Sequence, residues 1–331
     1  MSCYLVTGCA GFIASRVTEM LLGAGHRVVG VDNLNDAYDP RLKQWRLERL
    51  RARDGFVFHP IDISDAPAVA ARFEEDAAGD DPPYAAVVNL AARAGVRASV
   101  RDPLVYYRTN AEGSLYLLEA CRRYGVAKFL LASTSSLYGA HNPVPYREDA
   151  DTDRPLSPYA ASKKAAETLA YTYHYLHKLD VSVVRYFTVY GPAGRPDMSV
   201  FRFVRWIAEG EPIIVYGDGR QSRDFTFVDD IARGTIAALR PLGYEVVNLG
   251  GDAPAELRVV IDSIAAELGR KAAIEHHPAH PADVSATWAD IGKARALLDW
   301  RPEVPLDVGL RRCVAWYREH RDVALPLALG D

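Results

Sequence analysis

Tyr4-Leu5-Val6-Thr7-Gly8-Cys9-Ala10-Gly11-Phe12-Ile13-Ala14 is a short apolar run, a glycine-punctuated turn and the opening of a helical pattern. Val17, Leu21 and Leu22 keep the helical period until Gly23 and Gly25 close it. Strand, glycine turn, helix is the local context that a phosphate-binding loop needs. Gly8 permits the tight turn, Gly11 lets backbone approach a pyrophosphate, and Ala14 is small enough for close helix–strand packing. Taken alone, such a turn is weak evidence.

The next strand strengthens it. Arg27 to Val31 ends in Asp32, about 20 residues on, where an acid hydrogen-bonds the ribose hydroxyls of a dinucleotide and repels a 2′-phosphate. That predicts NAD rather than NADP, with Gly8, Gly11, Phe12, Ile13, Asp32 and Asn33 as contacts. Strand–helix alternation continues, which predicts an α/β chain built on a doubly wound parallel sheet of Rossmann type. Phe56-Val57-Phe58 reads as a third strand and leads to Asp62-Ile63, placed to flank an adenine. Ala85 to Leu90 is a fourth, ending in Ala91-Ala92, small residues over which a cofactor could lie. Lys128 to Ala132 is a fifth, ending in Ser133-Thr134-Ser135-Ser136, and Val181 to Tyr186 is a sixth. Ligands in such sheets bind outside the carboxyl ends of the strands. The glycine turn, Asp32, Ala91-Ala92 and Thr134 all fall there.

Reactive chemistry sits in Ser157-Pro158-Tyr159-Ala160-Ala161-Ser162-Lys163, which opens a helix with an N-cap and a first-turn proline. Tyr159 and Lys163, four residues apart, share a face. A free tyrosine ionises near pH ~10. A neighbouring ammonium favours the phenolate and brings it into the range of a general base. A lone YxxxK pair is more often plain surface; the surrounding pattern reverses those odds. Two long helices are predicted, at about 104–124 and 158–177. The second carries Leu169, Tyr171, Tyr173 and Tyr175 besides its catalytic face. Surplus apolar surface of this kind suits either a homodimer contact through the two helices or extra core.

After Gly191-Pro192 the rhythm loosens into a smaller α+β substrate-binding domain. Helices are predicted for Met198 to Ala208, from Val228 onward, Arg258 to Leu268 and Leu306 to Glu319, with strands at Ile213 to Tyr216 and Val246 to Asn248. The expected division is 1–187, with a return near 224–250, for the dinucleotide half, and 188–223 with 251–331 for the substrate half. Ala324 to Asp331 lacks periodicity and is expected to fray. Arg185, Arg195, Arg220 and Arg223 cluster around these loops, and guanidinium forks suit carboxylate or phosphate. About two of the four are expected to touch ligand.

With 331 residues, 49% hydrophobic, 25% charged and a net charge of −4, the chain reads as soluble, globular and of about two domains. Mild acidity argues against a nucleic-acid partner. No apolar run approaches the roughly 18 residues of a membrane span, and no basic leader precedes the first strand. Cys3, Cys9, Cys121 and Cys313 make no metal-ligand spacing and read as free thiols of a reducing cytoplasm. No metal is expected.

Thr7-Gly8-x-x-Gly11-x-x-Ala14, Asp62-Ile63, Leu90-Ala91-Ala92, Ser133-Thr134-Ser135, Tyr159-x-x-x-Lys163 and Arg223-Asp224-Phe225 occur in this order. Together they resemble the extended short-chain dehydrogenase/reductase family of nucleotide-sugar enzymes, over essentially the whole chain. Asp32-Asn33-Leu34-Asn35-Asp36-x-Tyr38-Asp39-Pro40 and Tyr190-Gly191-Pro192-x-Gly194-Arg195-Pro196-Asp197-Met198 resemble, within it, the UDP-glucuronate 4-epimerases. Ala14, Asn89 and Arg93 depart from the commoner family residues.

The resemblance implies NAD held also by Asp62, Ile63, Leu90, Ala91, Ala92, Tyr159 and Lys163. It implies Tyr159 as base at the sugar C4 hydroxyl, Thr134 as its hydrogen-bonding partner, and Lys163 as ribose ligand that keeps the tyrosine pKa low. Hydride leaves C4 and returns to the other face of a transient 4-keto sugar. Contacts to a UDP-sugar are implied at Arg97, Ser135, Ser136, Thr188, Arg195, Arg223 and Asp283, Arg195 being the expected clamp on a C6 carboxylate. A UDP-glucose/UDP-galactose 4-epimerase remains the nearest alternative. Decarboxylases and 4,6-dehydratases of this family carry acids where Ser135 and Ser136 stand. A catalytically dead NAD-binding regulator is disfavoured because both Tyr159 and Lys163 are present.

Overall fold

The computed structural model describes residues 1–77, 82–278 and 284–330. In chain order the strands are β1 (Cys3–Thr7), β2 (Arg27–Val31), β3 (Phe56–His59), β4 (Ala86–Asn89), β5 (Lys128–Thr134), β6 (Asp180–Tyr186), β7 (Thr188–Tyr190), β8 (Ile213–Tyr216), β9 (Ser222–Phe227), β10 (Tyr244–Leu249), β11 (Pro254–Glu256) and β12 (Ile274–His277). Seven of them form one sheet in the order β10-β6-β5-β4-β1-β2-β3, with every pairing parallel. The apolar runs of β4 and β5 are buried throughout, as expected of strands covered on both faces.

One covering layer holds α1 (Phe12–Gly23) and α2 (Pro40–Arg51). The other holds α3 (Ala66–Asp76), α4 (Val96–Arg101), α5 (Pro103–Tyr106), a π-helical turn (Tyr107–Glu112), α6 (Gly113–Arg123) and α7 (Pro158–His177). The chain moves outward from β1 to β3 and then returns to β4. The crevice between β1 and β4 is therefore the topological switch point, where ligands bind in open α/β sheets.

The second half has β11, β9 and β7 as a small sheet and β8 paired with β12. Around them lie α8 (Ser199–Glu209), α9 (Val228–Ala237), α10 (Leu257–Leu268), α11 (Gly292–Leu298), α12 (Leu306–Glu319) and α13 (Arg321–Ala324). Phe201, Ile207, Ile261, Ile264, Val314 and Trp316 fill its core. β10 returns to the main sheet, and α9 packs against α1.

Two expectations need correction. The helix expected at 104–124 is interrupted, because Asn110 turns its side chain away from a regular helix. Its amide receives the Arg93 backbone N–H at 2.9 Å and donates to Arg93 O at 3.0 Å and Ser162 Oγ at 2.9 Å. A π turn accommodates that anchor. The C-terminal residues through Leu329 are also pinned rather than frayed, while Asp331 lies outside the described residues. Leu327 is buried, Arg202 donates to Leu329 O at 2.8 Å, Arg205 donates to Leu327 O, and Asp39 receives the Ala328 N–H at 2.8 Å. Among the described residues no helix is long and apolar enough to cross a membrane.

Candidate active site

A cavity of about 190 Å³ opens at the carboxyl ends of the sheet strands. Fourteen of the residues singled out from sequence line it: Gly8, Gly11, Phe12, Ile13, Asp32, Asn33, Asp62, Ile63, Leu90, Ala91, Ala92, Tyr159, Lys163 and Arg195. Its floor is the glycine turn. Gly8 stands at φ +67°, and a Cβ there would lie 2.8 Å from Ala91 Cα. A Cβ on Gly11 would meet Gly8 O at the same distance. Only glycine lets the turn lie this close to β4. Gly11 caps α1 without a side chain, and the first turn has no acid. Its N–H groups thus face the cavity mouth as an open anion site.

β1 and β4 are held in register there by Thr7. Its hydroxyl donates to Asn89 Oδ1 at 2.7 Å and receives the Leu90 and Ala91 N–H groups at 3.1 and 3.0 Å. Asn89, the departure from the commoner histidine, thus serves to position Leu90-Ala91. Asp32 ends β2 buried and receives the Ala10 N–H at 3.2 Å and the Leu34 N–H at 2.8 Å. Asn33 donates to Asp62 Oδ2 at 2.7 Å, joining the two loops over which an adenosine would lie.

On the other wall, Ser157 caps α7 by accepting the Ala160 N–H at 3.2 Å. That fixes the rotation which brings Tyr159 and Lys163 to the cavity. Tyr159 faces Thr134 at the end of β5. Burial pushes its phenol above the ordinary range, while Thr134 and the Arg195 guanidinium pull the other way. The Lys163 ammonium donates to Ala132 O at 3.0 Å, and its own pKa is pushed down to about 8 by burial, against the opposing Glu167 carboxylate. Arg195 is a cation that favours the phenolate.

Arg195 lies over the Tyr38 ring at 5.5 Å, and its Nε and Nη2 donate to the two Asp197 oxygens at 3.1 and 2.5 Å. Half its fork is therefore already engaged, a pairing not read from the sequence. Thr188 lines a smaller cleft beside Arg195 and Phe12. Ser135 and Ser136 form a single turn after β5, and the Ser136 N–H caps onto Thr134 Oγ1 at 3.1 Å. Arg97, on α4, stacks on Tyr216 of β8 at 4.0 Å and so bridges the two halves. Arg223, on β9, donates to Ser222 O at 2.8 Å. Asp283 lies outside the described residues. Of the other clustered arginines, Arg185 is structural, forked onto Glu167 inside the protein, and Arg220 is exposed on its turn. Within Arg223-Asp224-Phe225 the aspartate is a hub for loop backbone: it receives the Asp252 and Ala289 N–H groups at 3.2 and 2.8 Å, and burial pushes it up to about 6.

Sequence reasoning missed Lys43, Arg46 and Asn110. Lys43 is buried on the cavity wall, 3.8 Å from Asp32, and donates to Asn35 Oδ1 at 3.0 Å. Arg46 donates to Ala10 O, Tyr38 Oη and Ala193 O at 3.1, 2.7 and 2.7 Å, tying the glycine turn to the loop that carries Arg195. The signal available was weak: α2 carries five cations, Arg41, Lys43, Arg46, Arg49 and Arg51, and only Lys43 and Arg46 share its buried side with Leu42, Leu47 and Leu50.

The model of the NAD dependent epimerase/dehydratase family matches residues 4–250. A UDP-glucuronate 4-epimerase of Thermodesulfobacterium geofontis is 55% identical over 321 residues, 97% of each chain. The solved UDP-glucuronic acid 4-epimerase of Bacillus cereus, in complex with UDP-glucuronic acid and NAD, superposes with a TM-score of 0.89 at 35% identity, covering 96% of this chain and 99% of that one. The UDP-glucose 4-epimerase of Thermotoga maritima, with UDP-glucose, superposes with a TM-score of 0.88 at 31% identity over the same shares.

Proposed function

Because the chain belongs to the NAD dependent epimerase/dehydratase family, we propose that it interconverts UDP-glucuronate and UDP-galacturonate through a transient 4-keto sugar. The observation that carries this reading is a single cavity walled by Tyr159, Lys163 and Arg195, with the Arg195 charge acting on the Tyr159 phenol. A base for the C4 hydroxyl and a cation for a C6 carboxylate then stand together. Identity of 55% to a UDP-glucuronate 4-epimerase along almost the whole chain supports it.

The residues present fit NAD: the cradle at Gly8 and Gly11 takes a pyrophosphate, and Asp32 suits ribose hydroxyls. Bound there, NAD supplies reversible hydride acceptance, so the net reaction is redox-neutral. Tyr159 takes the C4 hydroxyl proton, and Thr134 shares a hydrogen bond with the same group. Lys163, braced on Ala132 O, keeps two further N–H donors for the ribose. Arg195 retains three N–H donors beyond those given to Asp197 and directs them at the uronate carboxylate. Arg97, Ser135, Ser136, Thr188 and Arg223 are proposed to frame the rest of the UDP-sugar. The proposed division remains 1–187 with 224–250 for NAD, and 188–223 with 251–331 for the nucleotide sugar.

One observation favours a neutral UDP-hexose as second reading, namely that Asp197 already occupies half of the Arg195 fork. Turnover of the purified protein on UDP-glucuronate, UDP-galactose and UDP-glucose separates the two. We expect UDP-galacturonate from the first and little product from the others; preference for the neutral sugars would overturn the uronate assignment.

A homodimer through the helices near 104–124 and 158–177 is also proposed. Leu104 is 77% exposed, Tyr175 64% and Leu176 60%, large apolar side chains left in water by a lone chain. Sedimentation should give twice the chain mass, and Leu104→Arg with Tyr175→Glu should give the monomer. A monomeric wild type would rule the dimer out.

A further inference from the structure

Behind the catalytic pair lies a buried ionic network that the proposed reaction does not use. Tyr159, Lys163 and Glu167 succeed one another at four-residue steps along α7, so they lie along one side of the helix. Glu167 is 5% exposed and Lys163 3%. The Ser133 hydroxyl, on the β5 residue before Thr134, donates to Glu167 Oε1 at 2.5 Å. Arg185 of β6, 4% exposed, donates through Nε and Nη2 to the two Glu167 oxygens at 3.0 and 2.8 Å. Arg185 Nη1 continues to Tyr138 Oη at 3.0 Å and Glu148 O at 3.2 Å.

We propose, resting on the reading of Lys163 as an active-site group, that Glu167 is a positioning residue whose carboxylate, bound by Ser133 and Arg185, locks the catalytic helix to β5 and β6 one turn beyond the Lys163 ammonium. Two parallel ties connect α7 to β5, Lys163 to Ala132 O and Ser133 to Glu167, on adjacent residues of the strand that ends in Thr134. Thr134 and Tyr159 thus meet because the elements beneath them are fastened one turn away.

The same carboxylate favours the charged lysine against its burial. The groups facing the ammonium are the Ala132 carbonyl of β5 and Glu167 of α7, with Arg185 of β6 behind the carboxylate. From the remaining packed elements, Tyr106 of α5 reaches Tyr159 instead, and Tyr138, in the turn after β5, bonds Arg185 and Asn248. Asn110 of the π turn bonds Ser162. Burial pushes Lys163 down to about 8 and Glu167 opposes it. Without the carboxylate the ammonium has only a neutral carbonyl against its burial, and the midpoint falls further.

The test is Glu167→Gln, which keeps the shape and one acceptor. The Lys163 titration is followed by NMR in protein carrying ¹³C-labelled lysine, with Lys163→Arg to assign the resonance, and kinetics are run alongside. A midpoint about one unit lower is expected, reducing the charged fraction at the wild-type midpoint from half to about a tenth. At that pH kcat should fall about fivefold with KM for UDP-glucuronate little changed. An unmoved Lys163 midpoint in a folded variant would overturn the proposal. Should Glu167→Gln not fold, Glu167→Gln with Arg185→Gln also removes the guanidinium that the lost carboxylate would strand, and it carries the same reading; if that pair also fails to fold, the network serves stability alone and the proposal falls. The titration does not depend on turnover. A wild type inactive on UDP-glucuronate, with the shift present, would therefore sink the function and leave the electrostatic link standing.

Discussion

Tyr159→Phe is expected to lose about 10²- to 10⁴-fold in kcat, the contribution of a positioned general base. Only one oxygen is removed, from a ring held on the cavity wall, so the walls contributed by Gly8, Asp32 and Lys163 stay in place. Affinity for NAD and UDP-glucuronate should therefore change little, and the loss falls on kcat rather than KM. The pH dependence gives an independent reading. Burial pushes the phenol up, and the base works only when deprotonated, so wild-type turnover should rise with pH through the neutral range. That rise should vanish in the phenylalanine variant. Thr134→Ala should be milder and move the rise to higher pH, because a hydrogen bond that favours the phenolate is lost. Near-native turnover of Tyr159→Phe, measured by product chromatography, would sink the assignment of the base.

The parts of this molecule written in local pattern were legible before any coordinates. Gly8 and Gly11 announce a turn because no other residue fits it, and Asp32 ends a strand whose position follows from the βα rhythm. Tyr159 and Lys163 declare themselves through helical spacing and the Ser157-Pro158 cap. What stayed hidden was set by partners distant in sequence. The π turn at Tyr107–Glu112 exists because Asn110 reaches Arg93 and Ser162, 17 and 52 residues away. The C-terminal segment is fastened by Arg202, Arg205 and Asp39, none of which any local period connects to it. β7 and β11 are three residues each, too short to show an alternation, and are defined by pairing with β9. Part of the electrostatics was hidden for the same reason. Spacing along α7 puts Lys163 near Tyr159, but it shows neither the Ala132 carbonyl on β5 that receives the ammonium nor the Arg195 charge brought by the loop after β7.

Arg195→Ala carries the other large effect, and three consequences can be separated. Removing a charge-assisted contact to the substrate carboxylate costs about 2 kcal/mol, or about thirtyfold in affinity. The variant also strips Asp197 of its partner, and an unpaired carboxylate beside the uronate adds repulsion to the loss. Arg195→Ala with Asp197→Asn removes that second term. If the double variant recovers part of the affinity, the recovered part was repulsion and the remainder is the contact itself. Affinity for UDP-glucose should hardly change in either. The third consequence concerns the intermediate. A 4-keto hexuronate is a β-keto acid, and it loses CO₂ when its carboxylate stands perpendicular to the ketone plane. A guanidinium held by Tyr38 and Asp197 can fix the carboxylate away from that orientation. Arg195→Ala should therefore release CO₂ and a 4-keto pentose, leaving reduced nicotinamide visible by its absorbance. Arg195→Lys keeps the charge without the planar fork, so it should bind better than alanine yet still leak CO₂. The pH rise in turnover should also move upward in Arg195→Ala, since a cation favouring the Tyr159 phenolate is gone. Unchanged affinity for UDP-glucuronate would exclude the carboxylate contact. Weaker binding with no CO₂ and no reduced cofactor would confine Arg195 to binding and leave the orientation of the carboxylate to other residues.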